Sequence, residues 1–495
     1  MKSFKEVEKN RVNYHKSHNI NTVHRSSLIV PKLFQATSNI SFLNHFLIKR
    51  SNKNISLKIT ALNDQGNAYN SLTIPIDETK VYSFDLEELF DDESSIKEFL
   101  IEFYSDKNLY IPFPAVMINH IGVDFTNYVH SFNRVLNDVF EDDKVNKFSV
   151  SESSIDVTVD EDYDTFFNFA SGPFNVNDNL SISVTDGIDE IVKDLPIKIN
   201  RLSNKIFYLS NIFSEKLKDK QILKVLQPKQ SLFYGRLLTG KINKKTLAFS
   251  ANHSYYDSSS TKEYFNNKVS MRTYPYFKNC RNKVTMYPIM SPSIMSVQIE
   301  IYDGKSVFNS SSQTIESPSN NLIEFDIDEL VAKSNLKNVT MFKIIATASN
   351  GNIPTRVNHQ LIYGSINSKS KLNSSINVSL VNEEIFTPAH KTGLTWGQVL
   401  IDDDYESRLG ICFNDTNGVS DELSIDFYGE SGLLKSIKKQ LPTTESLIFD
   451  NEFFSNFNIK REFLWFVVKS NRVDIQAQTF HYHRLSHNSS GEHAF

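Results

Sequence analysis

The chain is poor in glycine: 16 of its 495 residues, about 3% against an average near 7%, with only 14 prolines beside them. That excludes collagen-like, elastic and Gly-rich linker sequences. Only two cysteines are present, Cys280 and Cys412, too far apart in sequence for a disulfide framework and expected as buried free thiols. There is no basic excess either. Lys and Arg number 53 against 58 Asp and Glu, a formal charge of −5, so no chain-wide nucleic-acid footprint is expected. No apolar run approaches the roughly 18 residues of a membrane helix, and the strongest, 463–468, is strand-sized. The first 25 residues hold no apolar core of signal-peptide type. The expectation is a cytoplasmic location by default, with non-classical export or a cell-surface role left open.

Aromatic residues are abundant instead, 37 Phe and 20 Tyr, and 40% of the chain is hydrophobic. That is ample for globular cores. The same order of features recurs four times. An alternating apolar strand runs into an Asp/Gly turn at LKITALNDQG, LSISVTDG, VQIEIYDG and LSIDFYGESG. Their isoleucines, Ile59, Ile182, Ile299 and Ile425, are spaced by 123, 117 and 126 residues. Each copy continues with a second strand and then an acidic-hydrophobic step (VYSFDLEELF, IFYLSNIF, LIEFDIDEL, LIFDNEFF). Period-two alternation closed by Asp/Gly marks half-buried strands entering hairpins, and the acidic step suits one helical turn capped by its Asp.

A longer period lies over the first. VTVDEDYDTFFNF and VLIDDDYESRLGICF place Asp160 and Asp402 242 residues apart, and only the second and fourth copies carry this acidic opening. The expectation is all-β: four tandem β-sandwich modules, immunoglobulin-like or jelly-roll-like, arranged as two duplicated pairs. The boundaries read as a basic N-terminal segment 1–25, flexible in this reading, then modules over 26–145, 146–262, 263–370 and 371–495. The strand–turn–strand followed by an apolar-Asp-Leu-x-Glu-Leu-Phe step resembles the tandem immunoglobulin-like β-sandwich modules of bacterial surface and extracellular proteins. The resemblance is at fold level and implies a surface or polysaccharide-associated setting.

Several groups could carry chemistry. His481 and His483 fall on one strand face with His487 just beyond, a donor set suited to zinc; a plain aromatic last strand explains them equally. Asp160 and Asp162, and Asp402 and Asp404, offer oxygen ligands for calcium or magnesium, although solvated strand ends that discourage edge pairing use the same residues. His130, His253 and His359, with His481, give one histidine per module, either in a shared structural role or converging on a site. Tyr255, Tyr256 and Asp257 could stack on and bond to a ligand, as could His390 and Trp396 in PAHKTGLTWG. P-loop, Rossmann, CxxC, HExxH and GxSxG motifs are all missing.

The leading expectation is therefore a non-catalytic binding or scaffold protein, with carbohydrate or another protein as partner and a homo-oligomer left open. Two alternatives stand beside it: a metal-dependent enzyme with a His-based site in the last module, and a viral or particle structural subunit.

Overall fold

The computed structural model describes residues 2–6, 24–91, 95–105, 115–130, 133–135, 151–172, 174–186, 188–214, 217–218, 221–228, 234–256, 263–287, 289–316, 322–386 and 392–495. Two compact units divide the chain. One comprises Tyr14–Thr185 and Asp189–Tyr256; the other Asp257–Phe495 with Met1–Asn13 and Asp186–Ile188.

Within them, eight strands recur four times. The first module has β1 (His24–Pro31), β2 (Thr37–Leu43), β3 (Ile55–Leu62), β4 (Ala68–Pro75), β5 (Val81–Asp85), β6 (Glu98–Ser105), β7 (Met117–Ile121) and β8 (Thr126–His130). The second has β9 (Ser151–Asp156), β10 (Tyr163–Ala170), β11 (Val176–Thr185), β12 (Glu190–Ile199), β13 (Asn204–Tyr208), β14 (Ile222–Leu226), β15 (Leu238–Asn243) and β16 (Phe249–His253). The third has β17 (Val269–Pro275), β18 (Cys280–Met286), β19 (Met295–Tyr302), β20 (Val307–Asn309), β21 (Ile323–Asp326), β22 (Met341–Ala348), β23 (Asn358–Ser365) and β24 (Ser374–Ser379). The fourth has β25 (Gly393–Asp402), β26 (Tyr405–Phe413), β27 (Asp421–Gly429), β28 (Gly432–Leu441), β29 (Leu447–Phe449), β30 (Arg461–Ser470), β31 (Ile475–His483) and β32 (Ser489–His493).

Every module pairs these strands in one way. One antiparallel sheet runs first-sixth-third-fourth and the other fifth-second-seventh-eighth. In the fourth module these are β25-β30-β27-β28 and β29-β26-β31-β32. The chain is thus four β-sandwiches in two duplicated pairs, and the sheets close on alternating apolar side chains. The four repeat isoleucines, Ile59, Ile182, Ile299 and Ile425, all lie on third strands with no exposure. Truncating one to Ala would cost about 2–5 kcal/mol.

The acidic step after each fifth strand is a short helix of three to eight residues, and a side chain there bonds with the second strand. The Glu87 carboxylate accepts from Ser38 N (2.8 Å), and Asp328 from Asn282 N (2.8 Å). Asn451 accepts from Ser407 N (2.6 Å) and donates to Tyr405 O (2.7 Å). In the second module the direction reverses, with Ser210 N and Oγ donating to the carboxylate of Asp164 on the second strand. Each turn therefore ties one sheet edge to its neighbour. The residue that does it is not always the Asp expected from sequence: Asp326 and Asp450 cap their own helices, through Glu329 N and through Glu452 N and Phe453 N.

Turns account for the glycine shortage. Asn63, Asp160, Asn243 and Asp303 each accept two backbone N–H groups within the next four residues. Asx side chains thus do what glycine does elsewhere. Gly66 is an exception. It has φ +68°, and a Cβ there would lie 1.8 Å from Arg201 O of the next module.

Modules dock within each unit. In the first pair, Ala251 N donates to Asn127 Oδ1 (2.7 Å) between the eighth strands, Asn204 N donates to Glu98 Oε1 (2.9 Å), and Phe34 packs edge-on against Phe166 and Phe249. In the second pair the edge of β17 is completed from outside its own sheet. Met271 and Val381 exchange backbone bonds, and Asn382 Nδ2 donates to Val269 O (2.7 Å). Thr273 N donates to Asn414 Oδ1 (3.1 Å), and Gln476 Nε2 donates to Thr273 O (2.6 Å). Phe480 of the fourth module sits in the core of the third, against Phe277 and Tyr363.

Candidate functional site

A cleft of about 690 Å³ opens in the second unit, within the size range of small-ligand sites. One wall and the floor come from the start of the third module and its exit, with Met271, Val381 and Phe386 as apolar surface and Asn267, Asn382 and Glu383 as polar groups. The facing wall consists of two loops of the fourth module, 414–419 and 471–474.

Arg472 fixes that facing wall. Its guanidinium stacks over the Phe413 ring at 4.1 Å and grips Asp474 through Nε (3.0 Å) and Nη2 (2.7 Å). The remaining donations go to Val419 O (2.7 Å) and Asp415 O (2.8 Å). A bidentate Arg–carboxylate fork is among the strongest polar contacts available to a loop. Gly418 lies so close that a Cβ would stand 2.5 Å from Arg472 Nη1. The arginine is a strut, with four of its five N–H groups spent inside the protein.

What remains open is mainly acceptor. Glu383 Oε1 is occupied by Asn267 Nδ2 (2.7 Å) and Asp415 Oδ1 by Asn417 N (2.9 Å), leaving each second carboxylate oxygen without a protein donor among the described residues. One donor balances them. Asn414 is 9% exposed, and its Oδ1, N and O are all bonded, to Thr273 and Asp474, while Nδ2 has no partner among the described residues. Behind the 414–419 loop, the buried Lys343 ammonium donates to Thr416 Oγ1 (3.0 Å), and burial pulls its pKa below the ordinary lysine value.

The residues singled out from sequence lie mostly elsewhere. His130 and His253 do meet, with ring centroids 4.4 Å apart. Arg236 Nη1 lies 3.4 Å from His130 Nε2 and 3.2 Å from His253 Nδ1, and its guanidinium sits over Tyr255 at 5.1 Å. His253 Nδ1 is also 2.9 Å from Ser254 O, so it donates there when protonated and accepts from Arg236 when not.

One expectation needs correcting. The four module histidines are not in equivalent places: His130 and His253 end eighth strands, whereas His359 and His481 lie on seventh strands. The step of 106 residues from His253 to His359 falls short of the module period because it runs from an eighth strand to a seventh. Strand register pairs Leu238 with His253 and Gln478 with His493, so His493 is the true counterpart of His253. His359 is wholly buried and held by Tyr274 and Val357 O, and burial lowers its pKa to about 3. His120, not singled out from sequence, is buried likewise, donates to Pro31 O and is lowered to about 4.

His481 and His483 share a face, both edge-on to Tyr405 at 5.3 and 5.2 Å. His487 packs instead by Tyr482, which alternates to the opposite face, and Ser486 N donates to His483 Nδ1. The acidic openings form the first-to-second strand turns. Asp160 Oδ1 accepts from Asp162 N and Tyr163 N, and Asp402 Oδ1 from Asp404 N, while Asp162 pairs with Lys245 and Asp402 with Arg461. Trp396 is half-buried on β25 and stacks on Phe495 (6.0 Å), which stacks on the buried Trp465 (6.1 Å). Tyr256 pairs through its backbone with Glu152. Asp257 and His390 lie outside the described residues, as do residues 7–23 of the N-terminal segment, whose Lys2–Ser3 pairs with Glu263–Tyr264. Both cysteines are buried, and burial raises the Cys280 and Cys412 thiols to about 11 and about 12.

No protein-family model and no curated protein matches the sequence. Among solved structures, the chain is similar to a tetra-tandem repeat in the extending region of a large adhesion protein. Identity is 8% and the TM-score 0.11, over 94% of this chain and 97% of that one. It is also similar to a catalytic domain with the CBM51-1 and CBM51-2 domains from Clostridium perfringens ZmpB. There identity is 9% and the TM-score 0.12, over 96% of this chain and 56% of that one. At such TM-scores neither likeness bears on function, and the sandwich architecture stands on the strand pairing above. Among the described residues no helix is long and apolar enough to cross a membrane.

Proposed function

We propose that this is a non-catalytic binding and scaffold protein that holds carbohydrate in the cleft of its second unit, in a surface-polysaccharide setting. The module boundaries 26–145, 146–262, 263–370 and 371–495 belong to the same proposal, with the last one moved beyond Ser379, where the third module's eighth strand ends. The observation that supports the reading best is Asn414, buried in the cleft wall with its amide nitrogen unpartnered among the described residues and acceptor oxygens across from it. A buried amide and solvent-facing carboxylates beside an apolar ring such as Phe386 suit a ligand with hydroxyl groups on its edges and C–H groups on its faces. Isothermal titration against a panel of soluble oligosaccharides tests it. Binding that Phe386→Ala weakens by tenfold or more, with the melting temperature unchanged, supports the reading. Absence of binding to every member of the panel overturns it.

A further inference from the structure

The cleft's polar groups also imply a charge preference, an inference that rests on the carbohydrate reading above. Three carboxylates line it, Glu383, Asp415 and Asp474, against the single guanidinium of Arg472. Arg472 and Asp474 neutralise each other through two bonds, and the other arginine donations go to main-chain carbonyls. An anionic ligand therefore finds no arginine fork to receive it. Lys343, the cation behind the cleft wall, is buried beneath Thr416 at 3% exposure and offsets part of the acidic charge without reaching the cleft surface. The groups a ligand meets include the free oxygens of Glu383 and Asp415, the side-chain oxygen of Asn471, whose Nδ2 gives one hydrogen to Asp421, and the donor Asn414 Nδ2.

We propose that the cleft selects saccharides bearing free amino groups, with Glu383 and Asp415 as receptors for a sugar ammonium and Asn414 as donor to a ring hydroxyl. Three carboxylates against one guanidinium fit a ligand that brings N–H donors and positive charge. Both carboxylates are partly solvated, so the preference is moderate: about 1 kcal/mol of ion pairing is roughly fivefold in affinity. A uronic-acid saccharide would bring a carboxylate against two others with no compensating cation.

Calorimetry at pH 6 with three tetrasaccharides of equal length separates the possibilities: β-linked glucosamine, its N-acetylated form, and galacturonate. The expected order is amino sugar, roughly fivefold or more tighter than the neutral form, and no measurable uronate binding. The double variant Glu383→Gln, Asp415→Asn should erase the amino-sugar advantage, bringing the amino and N-acetylated tetrasaccharides to equal affinity. The proposal is overturned if the uronate binds as tightly as the amino sugar, if the advantage survives in the double variant, or if tetralysine matches the amino sugar. Binding of sugars in the wrong order sinks only this charge preference. Failure of all three to bind overturns this inference, and failure across the whole oligosaccharide panel removes the carbohydrate reading as well.

Discussion

Tyr274 donates its hydroxyl hydrogen to Nε2 of His359 at 2.5 Å, while the opposite ring nitrogen donates to Val357 O at 3.2 Å. Both imidazole positions are thereby fixed for the neutral ring, deep in the third module. The folded pKa, about 3, lies below the ordinary 6.5, so protonation favours the unfolded chain. Stability from this ring is complete above pH 6.5 and is lost as pH falls towards 3, by up to about 1.4 kcal/mol per pH unit. Urea titrations between pH 7 and 4.5 should show this slope in the second unit, and His359→Gln should flatten it by about one proton. Tyr274→Phe should cost about 1–3 kcal/mol at pH 7, because it leaves a buried acceptor unpaired.

Glu98 responds in the opposite sense. It accepts from Asn204 N, and burial raises its pKa to about 7. A carboxyl whose folded pKa exceeds its unfolded value stabilises below the unfolded pKa, and the contribution disappears as pH rises through about 7. Glu98→Gln keeps the acceptor and removes the charge. It should stabilise the first unit by about 1–3 kcal/mol at pH 8 and by almost nothing at pH 4.5. Equal effects at the two pH values would refute a buried titrating group.

The helical-turn tethers can be tested one at a time. Asp328→Ala deprives Asn282 of bonds to both its backbone and side-chain nitrogens, and Asn451→Ala removes bonds to Ser407 and Tyr405. Each loss should cost about 1–3 kcal/mol in denaturant unfolding. Glu452→Ala, on the same turn as Asn451 but exposed, serves as a control within about 0.5 kcal/mol of wild type.

Gly418→Ala puts a methyl group where Arg472 Nη1 lies. The guanidinium is held by Asp474 and two carbonyls, so it cannot swing aside without losing bonds. Faster amide exchange confined to 414–419 and 471–474, with a stability cost of about 1–3 kcal/mol, is the expected signature. Unchanged exchange would mean the strut is dispensable.

The sandwich count is readable in the sequence because a strand buried on one face must alternate, and a repeated core repeats its alternation. Ile59, Ile182, Ile299 and Ile425 mark the same strand in every module for that reason. The histidines mislead because residue type alone carries no register. His253 matches His493 through hydrogen-bond pairing, 240 residues on and close to the 242-residue pair period, whereas His481, 228 residues on, lies on a different strand. The cleft is not legible at all. Asn414, Asp415 and Arg472 come from two loops, Glu383 and Phe386 from an inter-module segment, and nothing in their local sequence distinguishes them from the many other polar turns of an Asn-rich chain.

The amides that complete the edge of β17 set the smallest piece of the second unit that can be excised intact. Cutting between residues 386 and 392 would strip Thr273 of the partners supplied by Asn414 and Gln476, and would pull Phe480 out of a neighbouring core. An isolated third module would present a raw, sticky strand to its surroundings. Evolutionary shuffling of this architecture would therefore proceed by pairs, with the doublet as the heritable part and the single sandwich as a fragment.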